Sequence, residues 1–274
     1  MPAPDLEMPL LLAALSGRGV RGVVVPWGDG FDWPSVPLVL VRSPWDYFRH
    51  REDFLSWAES VGRVTHLSNP ASVLAWNSHK RYLTALAAHG VPTVPTSVVR
   101  QGASSAARRS GLAGHGSDVV IKPAVSIGAF GALRAAAGSV AAAEHLAGLA
   151  AEGDVVVQPF QPTVLDQGEI SLVYLGGCLS HAVRKVPGAG DYRVQAHHGG
   201  GVRPHQATGR QCHVAEAALA EVPASLSYAR VDLVNEDDPV VMELELIEPQ
   251  LFLQYQPDAA GRLADHVLGL LRAL

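Results

Sequence analysis

Three carboxylates near the C-terminal end carry the strongest chemical signal in the chain. Asp232 lies in the apolar run Val231-Asp-Leu-Val234, and Glu243 and Glu245 lie in Val240 to Leu246, with Asn235-Glu-Asp-Asp-Pro239 between the runs. Read as a hairpin, period-two alternation puts Glu243 and Glu245 on one face, and pairing can bring Asp232 opposite them. Gathered carboxylates repel and raise one another's pKa, and a hard cation such as Mg²⁺ or Mn²⁺, which prefers oxygen ligands, relieves the conflict. A solvated acidic strand face accounts for the same residues. Glu236, Asp237 and Asp238 read as solvated turn.

Positive charge is placed sparingly. Lys122 ends Asp118-Val-Val-Ile-Lys122 and precedes the small-residue stretch Pro123-Ala-Val-Ser-Ile-Gly-Ala-Phe-Gly131. Such a lysine can offer a point charge, and the loop backbone N–H groups, to a phosphate chain; a snorkelling lysine before an ordinary turn is the more common case for such a segment on its own. Arg184, Lys185 and Arg193 flank Pro187-Gly-Ala-Gly-Asp-Tyr192, where arginines beside glycine suit the charge of a phosphoryl group or carboxylate. His197 and His198 follow; neighbours in an extended segment point to opposite faces, so they read as loop residues rather than one metal site.

The rest of the chain limits the chemistry. With 274 residues, 21 Lys and Arg against 26 Asp and Glu and a net charge of −5, the chain has no long-range attraction for polyanions, which excludes general binding to nucleic acid or anionic lipid. Its two cysteines make no disulfide framework, no apolar run reaches membrane-spanning length, and no basic leader is visible, so a soluble cytoplasmic protein is expected. A homo-oligomer is left open. Gly-x-x-x-x-Gly-Lys-Ser/Thr, Gly-x-Ser-x-Gly, His-Glu-x-x-His and Cys-x-x-Cys are all lacking, which removes P-loop, α/β-hydrolase and common zinc sites, and the loop after Lys122 carries no Gly-x-Gly-x-x-Gly, so it is not a Rossmann fingerprint.

The elements that must position these residues fall into an α/β beginning and an α+β remainder. Leu10 to Leu15 reads as a helix stopped by Gly17-Arg-Gly19, with strands at Val20 to Val25 and Leu38 to Val41. A doubly wound domain usually opens on a strand, and this chain opens on a helix. In Arg42-Ser-Pro-Trp-Asp-Tyr47, Ser43 suits an N-cap, Pro44 the first helical position and Asp46 the third, with Phe54, Ala58 and Val61 on the buried face that follows. A helix is expected over Lys80 to His89, an extended lead-in over Val91 to Val99 and a Gly, Ser and Ala-rich connection over Gln101 to Ser117. Asp118 to Lys122 and Asp154 to Gln158 read as strands, Glu169 to Tyr174 and Leu179 to Val186 as a hairpin around Gly176-Gly177, and the chain from Gly261 as an amphipathic helix.

Taken in order, Asn77-Ser-His-Lys80, Val119-Val-Ile-Lys-Pro123, the small-residue loop, Gln158-Pro-Phe-Gln161, Gly168-Glu169, an arginine and the Asp…Glu-x-Glu cluster resemble the ATP-grasp superfamily, in its glutathione-synthetase-like branch. Arg42-Ser-Pro-Trp-Asp-Tyr47 and Glu243-Leu-Glu-Leu-Ile-Glu-Pro249 are most similar to the O-ureido-D-serine cyclo-ligases of D-cycloserine biosynthesis. The resemblance implies an ATP-grasp fold, α/β plus α+β: a pre-ATP-grasp domain at 1–90, a small lobe at 91–160 and a large lobe at 161–274. ATP would lie between the lobes. Lys80 and Lys122 would meet its phosphates under the loop holding Ser126 and Gly128. Gln158, the Pro159 carbonyl, Phe160 and the Gln161 amide would face the adenine, and Glu169 the ribose. Asp232, Glu243 and Glu245 would hold two Mg²⁺ ions, with Mn²⁺ as an alternative. Three departures stand out: Gln158 replaces a family glutamate, Glu245 an asparagine, and Glu248 the serine of glutathione synthetase.

The implied reaction is phosphoryl transfer from ATP to the carboxylate of a small amino-acid-like substrate, and attack of a nitrogen on the acylphosphate. Mg²⁺, the lysines and Arg184 would neutralise the transferred charge, and Arg193 would hold the carboxylate or the acylphosphate. Ser43, Trp45, Asp46 and Glu248 would contact the substrate, although the helix-cap reading of Ser43 and Asp46 stands beside that role. Other readings are a dipeptide ligase, a carboxylate kinase, a non-catalytic ATP-binding protein and a structural α+β protein.

Overall fold

The computed structural model describes residues 5–195 and 199–274; the expectation for His197 and His198 lies outside them. The opening unit holds α1 (Met8–Ser16), β1 (Leu38–Leu40), α2 (Arg51–Gly62), β2 (His66–Ser68), α3 (Ala71–Asn77) and α4 (Tyr82–Ala88). Its sheet is only β1 and β2, parallel, with Leu38 opposite His66. The strand expected at Val20 to Val25 does not form. Val23 and Val24 are exposed, and the segment pairs with neither strand, so it has no buried face to reward extension. The cap reading also changes: Ser43 and Pro44 enter a turn, and α2 begins later, at Arg51 after His50. Phe54, Ala58 and Val61 are buried on α2 as the periodicity requires.

Next come β3 (Ser97–Val99), α5 (Ser105–Ala113), β4 (Asp118–Pro123), β5 (Leu133–Ala136), α6 (Val140–Glu152) and β6 (Val155–Pro159). The strands form an antiparallel sheet in the order β3-β6-β4-β5. The expected connection over 101–117 contains α5, whose N-terminus is capped by the Ser104 hydroxyl accepting from the Ala107 amide at 3.2 Å. Val119, Ile121, Val155 and Val157 pack on Leu112 of α5 and Ala142, Leu146 and Ala150 of α6. Alternation therefore turns Val120, Lys122 and Gln158 to the uncovered face.

The large sheet is antiparallel, in the order β11-β10-β7-β8-β9, from β7 (Glu169–Leu175), β8 (Cys178–Val186), β9 (Gly201–His205), β10 (Tyr228–Val234) and β11 (Val240–Glu245). Between β6 and β7 lies the short α7 (Thr163–Gln167). One face, with Ile170, Leu172, Val231 and Leu233, packs on α3, α4 and α8 (Gly209–Ala220). The other is apolar at Val173, Leu175 and Tyr228, which α1 and α9 (Ala259–Ala273) cover, and turns polar at its far end. No helix among the described residues is long and apolar enough to cross a membrane. Cys178 and Cys212 are both free.

Candidate active site

The polar end of the large sheet faces the uncovered side of the small one, and the cleft between them holds about 750 Å³ of space counted out to solvent. Lys80, Lys122, Ser126, Gly128, Gln158, Pro159, Phe160, Gln161, Glu169, Arg193 and Glu243 all line it, joined by Met242 and Tyr192. Residues far apart in sequence thus meet in one place.

Lys80 sits in the turn between α3 and α4 rather than on a helix. Its backbone N–H donates to the Ala124 carbonyl at 2.8 Å, its Nζ to the Ser126 carbonyl at 2.8 Å, and Nζ lies 2.6 Å from Glu243 Oε1. Burial disfavours both charged groups, but their attraction wins: the lysine is held above its usual range and the Glu243 carboxyl below. Lys122 differs, its side chain having no hydrogen bond or ion pair among the described residues; burial pulls its pKa down. It is the cation still open to an anionic ligand. At the other end of the cleft, Arg134 stacks on Phe160 at 3.6 Å, and Gln158 donates to Thr96 Oγ1 at 3.0 Å. The Pro159 carbonyl accepts from Gln161 Nε2 at 3.3 Å. Arg193 lines the cleft from its rim, bound to Asp191 at 2.7 Å.

The hairpin of β10 and β11 sets Asp232 opposite Glu243, as the alternation requires, with Glu245 on the same face opposite Arg230. The three carboxylates do not form an open cage. Asp232 is sealed at 1% exposure, accepting from Ser171 Oγ at 2.6 Å, Lys185 Nζ at 2.8 Å and Arg230 Nε at 2.9 Å. Burial opposes its ionisation, but Arg230 and Lys185 outweigh that and hold it well below the carboxylate range. Arg230 also binds Glu245. Burial still pushes the Glu245 carboxyl up to about 6 and Glu169, which pairs with Lys185, to about 7. Arg230, two residues before Asp232 and so on its face, was overlooked in the sequence.

Arg184 is not brought to this cluster. It stands opposite Ile170, on the far face of the sheet, where its guanidinium donates to the Gln167 carbonyl and pairs with Glu236 at 2.8 Å. Its neighbour Lys185 takes the place beside Glu169 and Asp232. Counting back from the Gly176-Gly177 turn pairs Lys185 with Glu169, a signal that was available in the sequence.

The expected substrate residues lie apart from the cleft lining, near the crossing from β11 into residues 246–251. Trp45 Nε1 approaches the Glu248 carbonyl at 3.4 Å. Ser43 donates to Asp5. Asp46 is exposed and accepts from Trp27 Nε1 at 2.9 Å, so its carboxylate is already engaged on the surface. Arg42 is buried against Tyr228, 5.0 Å from the ring, and donates to Glu7 and the Pro249 carbonyl.

Comparison with known proteins agrees with this architecture. The family model described as "D-cycloserine synthetase DcsG, N-terminal domain" matches residues 1–69. The cycloserine biosynthesis protein DcsG of Streptomyces lavendulae is 37% identical, over 95% of this chain and 92% of its own length. A crystal structure of D-cycloserine synthetase DcsG superposes with a TM-score of 0.88 at 35% identity, covering 97% of this chain and 95% of that one. A RimK domain ATP-grasp protein from Sphaerobacter thermophilus superposes at 0.69 with 21% identity, covering 98% of each chain. Two antiparallel sheets facing each other across such a cleft define an ATP-grasp ligase. Within that class, the chain belongs to the DcsG family.

Proposed function

We propose that this chain is an ATP-dependent cyclo-ligase that closes O-ureido-D-serine to D-cycloserine through an acylphosphate. One observation supports it above the others: Lys122, half-buried and with its side chain unpaired among the described residues, meets the Lys80–Glu243 pair beneath the Ser126–Gly131 loop. Phosphoryl transfer asks chiefly for positioned positive charge.

The donor set fits a divalent ion carried with ATP. Among the described residues no three His, Cys, Asp or Glu side chains are placed to cage an ion. Mg²⁺ characteristically takes one or two carboxylates and completes its shell with phosphate oxygens and water. Glu243 and Glu245, with 25% and 23% of their side chains exposed, suit that role; the sealed Asp232 orients Arg230 and Lys185 behind them. When bound, the ion would neutralise phosphate charge. Lys80 and Lys122 would hold the phosphates, Gln158 to Gln161 the base, and Glu169 the ribose hydroxyls. Arg193 would meet the activated carboxyl from the cleft rim, and Trp45 and Glu248 the amino-acid end. Attack by the oxygen-bound ureido nitrogen of the same molecule expels phosphate and closes the ring, and cyclisation gains from proximity; water must also take the carbamoyl group off that nitrogen, which leaves as carbon dioxide and ammonia.

The test is ADP release and product mass over a panel of amino acids and O-ureido-serine. ADP formation with O-ureido-serine alone, with a cyclised product, is expected. A requirement for a separate amine would make the chain a dipeptide ligase, and ADP with an uncyclised phosphorylated product a kinase.

A further inference from the structure

The loop over the phosphate end of the cleft carries two residues that phosphate binding does not explain. Backbone N–H groups and glycine would suffice there, and the loop has left-handed backbone at Gly128, Ala129 and Gly131 to turn them. Yet Ile127 packs into the core of the opening unit, against the cluster of Val41, Tyr47, Phe54, Leu74 and Ile247. Phe130, half exposed, lies with its ring centroid 5.1 Å from that of Phe48, and the Arg49 guanidinium sits 5.4 Å from one ring and 5.7 Å from the other. Phe48 and Arg49 directly follow Trp45-Asp46-Tyr47. One loop is therefore fastened to the phosphate side by Lys80 on Ser126 and to the amino-acid side by Phe130 on Phe48.

We propose that Ile127, Phe130 and Phe48 form a hydrophobic clasp that couples nucleotide binding to the amino-acid end and keeps water from the activated carboxyl. These are positioning residues, and their role in coupling rests on the cyclo-ligase reading. With the clasp closed, the internal nitrogen attacks the acylphosphate carbon and phosphate leaves. With it open, water attacks the same carbon, giving back the carboxylate and phosphate, so ATP is spent without ring formation.

Hydrogen exchange tests the clasp without any turnover. In Phe48→Ala, a change outside the loop, amide exchange at Phe130 and Ala132 should rise about tenfold in the presence of Mg²⁺ and a non-hydrolysable ATP analogue. Unchanged exchange overturns the clasp. Phosphate released per ring formed tests the coupling: one in the wild type, and roughly two or more in Phe48→Ala and in Phe130→Ala, with the double variant no worse than the poorer single one. A ratio of one throughout, or multiplying defects, overturns it. A wild-type protein that makes no ADP with any amino acid overturns the ligase reading instead, and the exchange result stands independently.

Discussion

Lys80 and Glu243 close on each other across the cleft, with Nζ 2.6 Å from the carboxylate oxygen. One comes from a turn between two helices and the other from an edge strand of the large sheet, so the pair ties the opening unit to the lobe that would carry the metal. Nucleotide phosphates entering between them offer the lysine a second anion, and a divalent ion offers the glutamate a second cation. Lys122→Ala and Glu243→Ala should each lower ADP formation by about 100-fold or more while the far-ultraviolet circular dichroism stays native. Full turnover in either variant would remove these residues from the phosphate site.

Arg230 is engaged by two carboxylates and the Gln250 carbonyl while buried. Removing one partner of a buried ionic network leaves the rest uncompensated, so Arg230→Met should cost about 3 kcal/mol or more in urea unfolding at neutral pH. Arg230→Lys keeps the charge but not the planar fork, and should recover only part of that loss. Equal stability of the wild type and Arg230→Met would show that the network contributes nothing to folding.

Trp45 and Glu248 meet where the opening unit touches the chain beyond β11. Under the proposed function, Trp45→Ala and Glu248→Gln should raise the KM for O-ureido-serine by about tenfold and leave the KM for ATP within about twofold. A matching rise for both substrates would place them in general support of the fold.

Acid should weaken the protein through its histidines. Burial pulls His79, His115, His181 and His266 below the ordinary histidine value. A depressed histidine takes up its proton more readily when unfolded, so the unfolded state binds more protons as pH falls below about 6.5, and the stability these groups contribute above that pH is lost. The Glu169 and Glu245 carboxyls, raised by burial into the same range, take up protons more readily when folded and oppose this loss. The histidine part is therefore an acid-driven drop in urea midpoint between pH 7.5 and 5.5, read as the difference between proteins with and without a given buried histidine. His115→Gln, at a site where Nε2 meets Ser97 Oγ at 2.8 Å, should show a smaller drop. An unchanged pH slope in that variant would rule His115 out as a contributor.

Much of the site was legible because strands keep a strict period. The pairing of Asp232 with Glu243 and the shared face of Glu245 follow from alternation and the acidic turn alone. The ordered motifs from Lys80 to Glu245 were legible as a family pattern. What alternation also offered, and charge type obscured, was the choice between Arg184 and Lys185: adjacent residues of β8 face opposite ways, and only register tells which enters the cluster. The strand expected at Val20 to Val25 shows the opposite limit, since β-branched residues extend productively only when a neighbour pairs with them. Likewise α5 was hidden by its Gly, Ser and Arg content; its cap at Ser104 and the burial of Leu112 against the small sheet decide in favour of helix.

The apolar clusters are shared unevenly between the two sheets. Helices α1, α3 and α4 put their apolar residues into clusters that also contain β7 and β10, whereas the small sheet keeps Val119, Ile121, Leu146 and Val157 to itself. The backbone crosses into the small lobe through Val91–Thr96 and out through Phe160–Pro162. In mechanical terms the two crossings are the pivots of a jaw, and side-chain changes at Val91–Pro95, none of which lines the cleft, would act on the rate of opening without touching any group that meets the nucleotide.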